Sequence, residues 1–389
     1  MTSRSGRNLP SMRLPKFKPS PIHEVHVQDN DSPWRWGILI SAALVVLGVG
    51  VRAAGDILAP VFLAVNLVIT AYPLQDWLRR RRLPSWMASL IALVAVYAIL
   101  AGILGAVAYS IAKLATVIPD YSQQFQDLYN RVIARLTRFG VGEDQLREIF
   151  GKLDVTNFTG VARTLLSTLS SGLSLLLLVV TLIIFVAMDA PSTARRLDWI
   201  AQSRPPIAAG LREFGSKVRT YWVVSTVFGL IVAILDGVAL QIIDVPLVMT
   251  WAVLAFVTNY IPNVGFVIGL IPPALLALLD SGVSKMVAVI IIYASINFVV
   301  QTVIQPKLTG DAVGINATTA FVSLVFWAYL LGPLGALLAI PATILVKSTL
   351  LDHTSGAQWV SALISSASEP NPVPIPPVQV STRGHTSPY

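Results

Sequence analysis

Few side chains in this sequence could do chemistry within an apolar setting, and they are amides and a single acid. Asp236 is the only acidic residue well inside the long apolar run 221–243. An isolated carboxylate at the centre of a membrane helix costs ~2.5–3.5 kcal/mol even on insertion scales. It is therefore expected to face protein or water, where it can bind a proton or Na⁺. The competing reading follows from its depth: fifteen residues at about 1.5 Å each put it about 22 Å from Tyr221, at the outer interface.

The second set is Asn259-Tyr260-Ile261-Pro262-Asn263-Val264-Gly265, which interrupts an apolar run. Proline removes a backbone donor and glycine admits close helix approach. Backbone groups freed in this way are tolerated at membrane depth only where protein or a water-filled cavity satisfies them. Asn259, Tyr260, Pro262, Asn263 and Gly265 are thus expected to line a polar path, the plain alternative being a tight turn between packed half-helices. The third set is Asn297, Gln301, Gln305, Lys307 and Asp311 around Pro306, with Asn297 one helical turn before Gln301 on the same face. That stripe either lines a route or bridges helices by hydrogen bonds, and Lys307 serves either the route or an interfacial anchor.

Other chemistries are excluded by what the chain lacks. It has no cysteine, and His23, His26, His353 and His385 all lie in polar tails. Thiol nucleophiles, disulfides and iron–sulfur ligation are therefore absent, and no imidazole is available inside the apolar runs. No catalytic residue, metal site or cofactor is expected, and no Gly-x-x-x-x-Gly-Lys-Ser/Thr loop for ATP is present. The chain reads as a non-enzyme.

The elements that must position these residues are membrane helices. Of 389 residues, 54% are hydrophobic and 12% charged, with mean hydropathy +0.70, where soluble domains carry about a quarter charged residues. The formal charge of +8 is concentrated beside apolar runs, as in Arg79 to Arg82. Such clusters set topology and meet anionic headgroups, so nucleic acid is not an expected partner. The expected organisation is a disordered cytoplasmic tail (1–33), three spans (34–111), a helical extracytoplasmic insert (112–170), a fourth span (171–190), and a cytoplasmic amphipathic segment (191–220). A C-terminal core with two broken hairpins (221–347) and a second disordered tail (348–389) complete it. Both termini are expected in the cytoplasm by the positive-inside rule.

Within that core, residues 246–279 form a 34-residue run broken in its middle. As one helix it would reach about 51 Å against a hydrocarbon core of ~30 Å. The pattern recurs at 317–347, interrupted at Gly332-Pro333-Leu334-Gly335, and an offset of 69 lays Tyr260 over Tyr329 and Ile271-Pro272 over Ile340-Pro341. One full crossing plus one re-entrant hairpin makes an odd unit, so a second copy must be inverted, and paired interrupted helices point to a transporter's central site. Helix breaks are expected at Pro272, Pro306, Gly310, Gly314, Gly332, Pro333, Gly335 and Pro341.

The chain also resembles the autoinducer-2 exporter family of bacterial permeases. The resemblance is carried by Asp56-Ile57-Leu58-Ala59-Pro60-Val61-Phe62-Leu63-Ala64, Val117-Ile118-Pro119-Asp120-Tyr121, Asn259 through Gly265 followed by Ile271-Pro272-Pro273, Gln305-Pro306-Lys307-Leu308-Thr309-Gly310, Gly332-Pro333-Leu334-Gly335 and Ala339-Ile340-Pro341. In order and spacing these motifs cover roughly residues 56–347. Asp244 stands where the family pattern has glycine, and Asn316-Ala317 where it has His-Pro. The resemblance implies a bacterial inner-membrane permease or exporter moving a small polar solute or ion, with homo-oligomerisation expected; other members resemble cation–proton antiporters. The expected fold is an all-α polytopic membrane protein of about six full spans plus two broken or re-entrant hairpins. A non-transporting membrane scaffold is the alternative from another class.

Overall fold

A computed structural model describes residues 33–138, 158–261, 264–305, 314–353 and 358–366. Pro262, Asn263, Pro306, Lys307, Gly310 and Asp311, and most of both expected tails, lie outside the described residues. All regular structure among the described residues is helical. The chain divides into residues 1–47 and 48–389. The first unit contributes most of α1 (Pro33–Ala53), an apolar helix whose large side chains from Ile38 to Leu47 are exposed.

In the second unit, α2 (Gly55–Arg80) and α3 (Ser85–Val117) are joined by Arg81 to Pro84, and a 3-10 turn (Ile118–Tyr121) leads into α4 (Ser122–Arg138). Then follow α5 (Phe158–Ser203), α6 (Pro205–Ile242), α7 (Val248–Thr258), α8 (Gly265–Ser281) and α9 (Val283–Asn297), which continues as a π-helical segment (Phe298–Ile304). α10 (Ala317–Val346) runs into a second π segment (Lys347–Leu351), and α11 (Gln358–Ile364) closes the described chain.

Six helices among the described residues are long and apolar enough to cross a membrane: those within α2, α3, α5, α6, α9 and α10 with their extensions. The number expected from sequence is met, with one exchange of members. α1 is a shorter apolar helix, and α10 qualifies by length although it is bent at Gly332. Exposed Leu177, Phe185, Val227, Ile234, Ile291 and Phe298 form the outward apolar surface that such helices present to lipid.

Two of the expected segment limits fall inside helices. α4 lies wholly within the expected insert, whereas α5 runs unbroken from Phe158 through the apolar stretch to Ser203, and α6 begins two residues later. Helix propensity carries the polar ends on as extensions of the spans, with Pro205 and Pro206 opening α6 where a missing N–H costs nothing.

The two overlong apolar runs are both folded back on themselves. In the first, a Cβ on Gly265 would lie 1.8 Å from the Thr258 carbonyl oxygen, and one on Gly269 would lie 3.6 Å from Ala255 Cα. α7 and α8 therefore run antiparallel in contact, and at Gly265 only glycine permits it. In the second, Gly332 takes φ 68, ψ −153 and splits α10 into two limbs. A Cβ on Gly335 would lie 1.9 Å from the Trp327 carbonyl oxygen, while Ser323 Oγ donates to the Ala339 carbonyl at 2.9 Å and Trp327 Nε1 to Thr343 Oγ1 at 3.1 Å. The bends fall about 70 residues apart, close to the sequence offset.

Pro272 and Pro341, expected as breaks, sit inside continuous helix. Proline's own φ is helical and it forfeits one backbone bond, a loss that a packed helix interior absorbs. Gly335 likewise marks close approach and not the bend itself. Gly314, at φ 66, does turn the chain ahead of Asn316, whose side-chain oxygen caps α10 by accepting from the Thr319 N–H at 2.8 Å.

α6 is the post against which both hairpins stand. The first keeps its feet at the Ile242 end: Lys285 Nζ donates to the Asp244 carbonyl at 2.8 Å, and Tyr121 Oη to Asp280 at 3.1 Å. The second keeps its feet at the Pro205 end, where Gly210 abuts Ser348, His353 Nε2 lies 3.0 Å from Glu213 and Lys347 pairs with Asp352 at 3.1 Å. Its other foot, Asn316, donates its backbone N–H to the Ile364 carbonyl at 3.0 Å, and Ser361 of the same short helix bonds Asp352. The core of Ala59, Leu63, Ile183, Val218, Leu338 and Ile344 binds α2, α5, α6 and α10 together.

A Cβ on Gly210 would lie 2.2 Å from the Ser348 carbonyl oxygen. Gly210→Ala is expected to destabilise the fold by about 1–3 kcal/mol through overpacking, read as a lowered heat-unfolding midpoint in detergent. An unchanged midpoint would mean that the π segment yields.

Candidate functional site: a polar seam at the first hairpin tip

The break between α7 and α8 delivers Asn259 and Tyr260 to the side of α6. Asn259 Nδ2 donates to the Ser225 carbonyl at 3.3 Å and sits where Gly229 leaves room, 2.7 Å from where a Cβ would be. Its Oδ1 accepts from Gln301 Nε2 at 2.9 Å, and the same Gln301 nitrogen reaches Asn297 Oδ1 at 2.8 Å. Asn297 Nδ2 in turn donates to the Tyr293 carbonyl at 2.9 Å. Three amides and two backbone carbonyls thus form one chain of hydrogen bonds from α6, through the hairpin tip, into α9.

Gln301 reaches the tip because α9 changes winding ahead of it. The π segment spans Phe298–Ile304, and the Gln305 N–H bonds the Val300 carbonyl, five residues back. π turns inside helices are frequent at functional sites. Pro306 in the sequence can offer no N–H, so the wider turn falls just ahead of a missing donor.

Tyr260 is held from the other side. Its carbonyl accepts from Tyr221 Oη at 3.0 Å, its hydroxyl pairs with Thr226 Oγ1 at 2.8 Å, and its ring packs 5.5 Å from that of Trp222. Trp222 Nε1 donates to Asn66 Oδ1 at 3.3 Å, extending the polar contacts to a fully buried amide on α2. The repeat partner Tyr329 is exposed instead, with the Arg52 guanidinium 4.1 Å above its ring. Whatever symmetry relates the hairpins, their tips carry different chemistry.

Asp236 is fully buried, and neither carboxylate oxygen has a hydrogen-bond partner. It lines a cavity of about 10 Å³ with Val232, Thr258, Asn259, Tyr293 and Asn297, and the Tyr293 hydroxyl is likewise without a partner. Buried polar groups left unmatched are rare in folded proteins.

Of the residues singled out from sequence, Asp236, Asn259, Tyr260, Asn297 and Gln301 meet in one region, Gly265 shapes the hairpin beside it, and Gln305 closes the π turn. Pro262, Asn263 and Lys307 fall outside the described residues. Sequence reasoning missed Tyr293, Thr258, Ser225, Thr226, Tyr221, Trp222 and Asn66. Tyr293 had a signal, one helical turn before Asn297 on the face that carries Gln301. Asn66 had one too, as the lone amide within the apolar part of α2. Among the described residues no group of three or more His, Cys, Asp or Glu could hold a metal ion.

The chain is similar to known membrane transport proteins. The model of the family described as AI-2E family transporter matches residues 39–355. Over 330 residues the chain is 28% identical to the AI-2 transport protein TqsA of Escherichia coli K12, covering 84% of this chain and 95% of that protein. YhhT of the same strain is also 28% identical over 330 residues, with 84% and 93% covered. YrrI of Bacillus subtilis is 21% identical over 304 residues, with 75% and 85% covered.

Proposed function

The chain belongs to the AI-2E transporter family, and from that premise we propose that it is a secondary carrier whose solute passes along the polar seam at the first hairpin tip. As a member of that family it is a multi-pass membrane permease. The observation that carries the finer reading is the relay Ser225–Asn259–Gln301–Asn297, built where α7–α8 is broken and α9 is wound as a π helix. Hydrogen-bonding side chains gathered at interrupted helices are what a polar solute needs to leave water.

Two hairpins with feet at opposite ends of α6 support an inverted arrangement, each re-entering from its own face of the bilayer. In this reading the tetra-arginine loop, the Pro205 end of α6 and both termini face the cytoplasm of a bacterial inner membrane, and Asp236 couples movement to an ion gradient. The chain acts as a homo-oligomer, with net movement outward. A solute of the size and polarity of autoinducer-2 is the first to test, because TqsA is described as an AI-2 transport protein.

The experiment is counterflow in proteoliposomes. Vesicles preloaded with unlabelled solute, from a panel that includes autoinducer-2, are expected to accumulate labelled solute transiently against its gradient. Flux without counterflow would identify a channel. Movement of cations and protons without any organic solute would identify a cation–proton antiporter on the same fold. No flux across the panel, with the protein intact and partners bound through residues 112–170, would favour a scaffold.

A further inference from the structure

The polar seam and the Asp236 cavity are adjacent but differ in one respect: every amide of the seam is matched, whereas three oxygen atoms at the cavity are not. These are both carboxylate oxygens of Asp236 and the hydroxyl of Tyr293. Resting on the carrier reading above, we propose that Asp236 holds a single exchangeable proton, relayed by the Tyr293 hydroxyl and one cavity water, so that the ion coupled to transport is a proton and not a metal cation.

The surroundings of Asp236 carry the choice. The cavity it lines is bounded by Ala255, Thr258 and Asn259 from α7, Phe266 and Gly269 from α8, and Tyr293 and Asn297 from α9. Tyr293 is the only titratable group among them, and no cation among the described residues stands opposite the carboxyl. A carboxylate stripped of water, donors and counter-charge is neutralised most simply by binding a proton. A metal cation would need several oxygen ligands at once. The two amide oxygens on hand, of Asn259 and Asn297, each accept from Gln301, so a cation would have to share both with that nitrogen.

A neutral acid needs only one acceptor for its O–H, and a cavity of about 10 Å³ is close to the room one water takes. The step is a proton transfer with no redox change. The O–H bond of the Asp236 acid breaks as its proton passes to the cavity water or the Tyr293 oxygen, that group releases its own O–H proton onward toward the adjoining seam, and the carboxylate left behind is re-protonated from the opposite side before the next cycle. Tyr293, with its hydroxyl free to donate and accept, is a positioning and relay residue.

Infrared difference spectroscopy on the full-length protein in lipid reads this without reference to solute. The C=O stretch of a protonated carboxyl is expected in the wild type, shifted by ¹³C-aspartate labelling and lost in Asp236→Asn. It is expected to be unchanged when choline is replaced by Na⁺. Absence of the band, or its disappearance on adding Na⁺, would overturn the proposal; the isotope label assigns the band to aspartate even where the asparagine variant fails to fold. Tyr293→Phe is expected to keep the band and slow its hydrogen–deuterium exchange at least tenfold, and an unchanged rate would overturn the relay. The band without solute counterflow would remove the carrier reading and leave the proton site standing; counterflow without the band would do the reverse.

Discussion

Asn259→Leu is expected to abolish solute counterflow in a protein that still assembles in the membrane. Leucine matches asparagine in size but neither donates to the Ser225 carbonyl nor accepts from Gln301. Both partners are left facing an apolar side chain, and an unmatched buried polar group costs about 1–3 kcal/mol. More directly, a solute entering the seam loses the amide that bridges α6 to α9. With two contacts gone, transport should fall at least about a hundredfold, since each ~1.4 kcal/mol is a factor of ten.

Gln301→Leu should act in the same direction, because Gln301 Nε2 serves both Asn259 and Asn297. Wild-type counterflow in either variant would show that the amides bridge helices and line no route. Size-exclusion profiles and heat-unfolding midpoints separate a blocked path from a protein that has come apart.

Gly265→Ala and Gly335→Ala should produce the largest losses of stability in the chain. The added methyl carbon would sit 1.8 Å from the Thr258 carbonyl oxygen in one case and 1.9 Å from that of Trp327 in the other. Backbone atoms cannot step aside as a flexible side chain can, so the limbs must part and the contacts along each hairpin go with them. Overpacking of this kind exceeds the ordinary 1–3 kcal/mol; about 3 kcal/mol or more is expected, seen as loss of monodisperse protein on extraction. Gly102→Ala and Gly105→Ala are suitable controls, since a Cβ at either meets nothing within 4 Å. Folded, active Gly265→Ala protein would mean that α7 and α8 pack less closely than described.

Much of the fold was legible because the bilayer simplifies the rules. Apolar runs must be helices, and a run of 34 residues is too long for one crossing, so both hairpins could be placed from length alone. Their bends were legible as well, at Asn259 to Gly265 and at Gly332. Pro272 and Pro341 misled for a physical reason. Proline marks a lost hydrogen bond, and whether a helix breaks there depends on packing that sequence does not display.

Helix continuity was hidden likewise: α5 carries polar and apolar stretches in one element, and composition alone divided it. At the site, Asn259, Asn297 and Gln301 were legible as amides in apolar text. Their joining through one side chain was not, since it depends on the π turn that rotates Gln301 toward the hairpin tip. Asp236 was legible as a lone acid in an apolar run, with the outer interface as the competing place, but its burial and its company were not. Tyr293 and Thr258 reach it from two other helices, and only the folded chain brings them together.

The opposed insertion of the two hairpins is the central claim, and the natural absence of cysteine makes it directly measurable. Single cysteines at Ser284, beside the feet of the first hairpin, and at Thr318, beside the feet of the second, are both at exposed positions. A membrane-impermeant maleimide applied to oriented vesicles is expected to label Ser284→Cys from the outer face only and Thr318→Cys from the cytoplasmic face only. Labelling of both from one face would contradict the inverted arrangement, and with it the carrier built upon it.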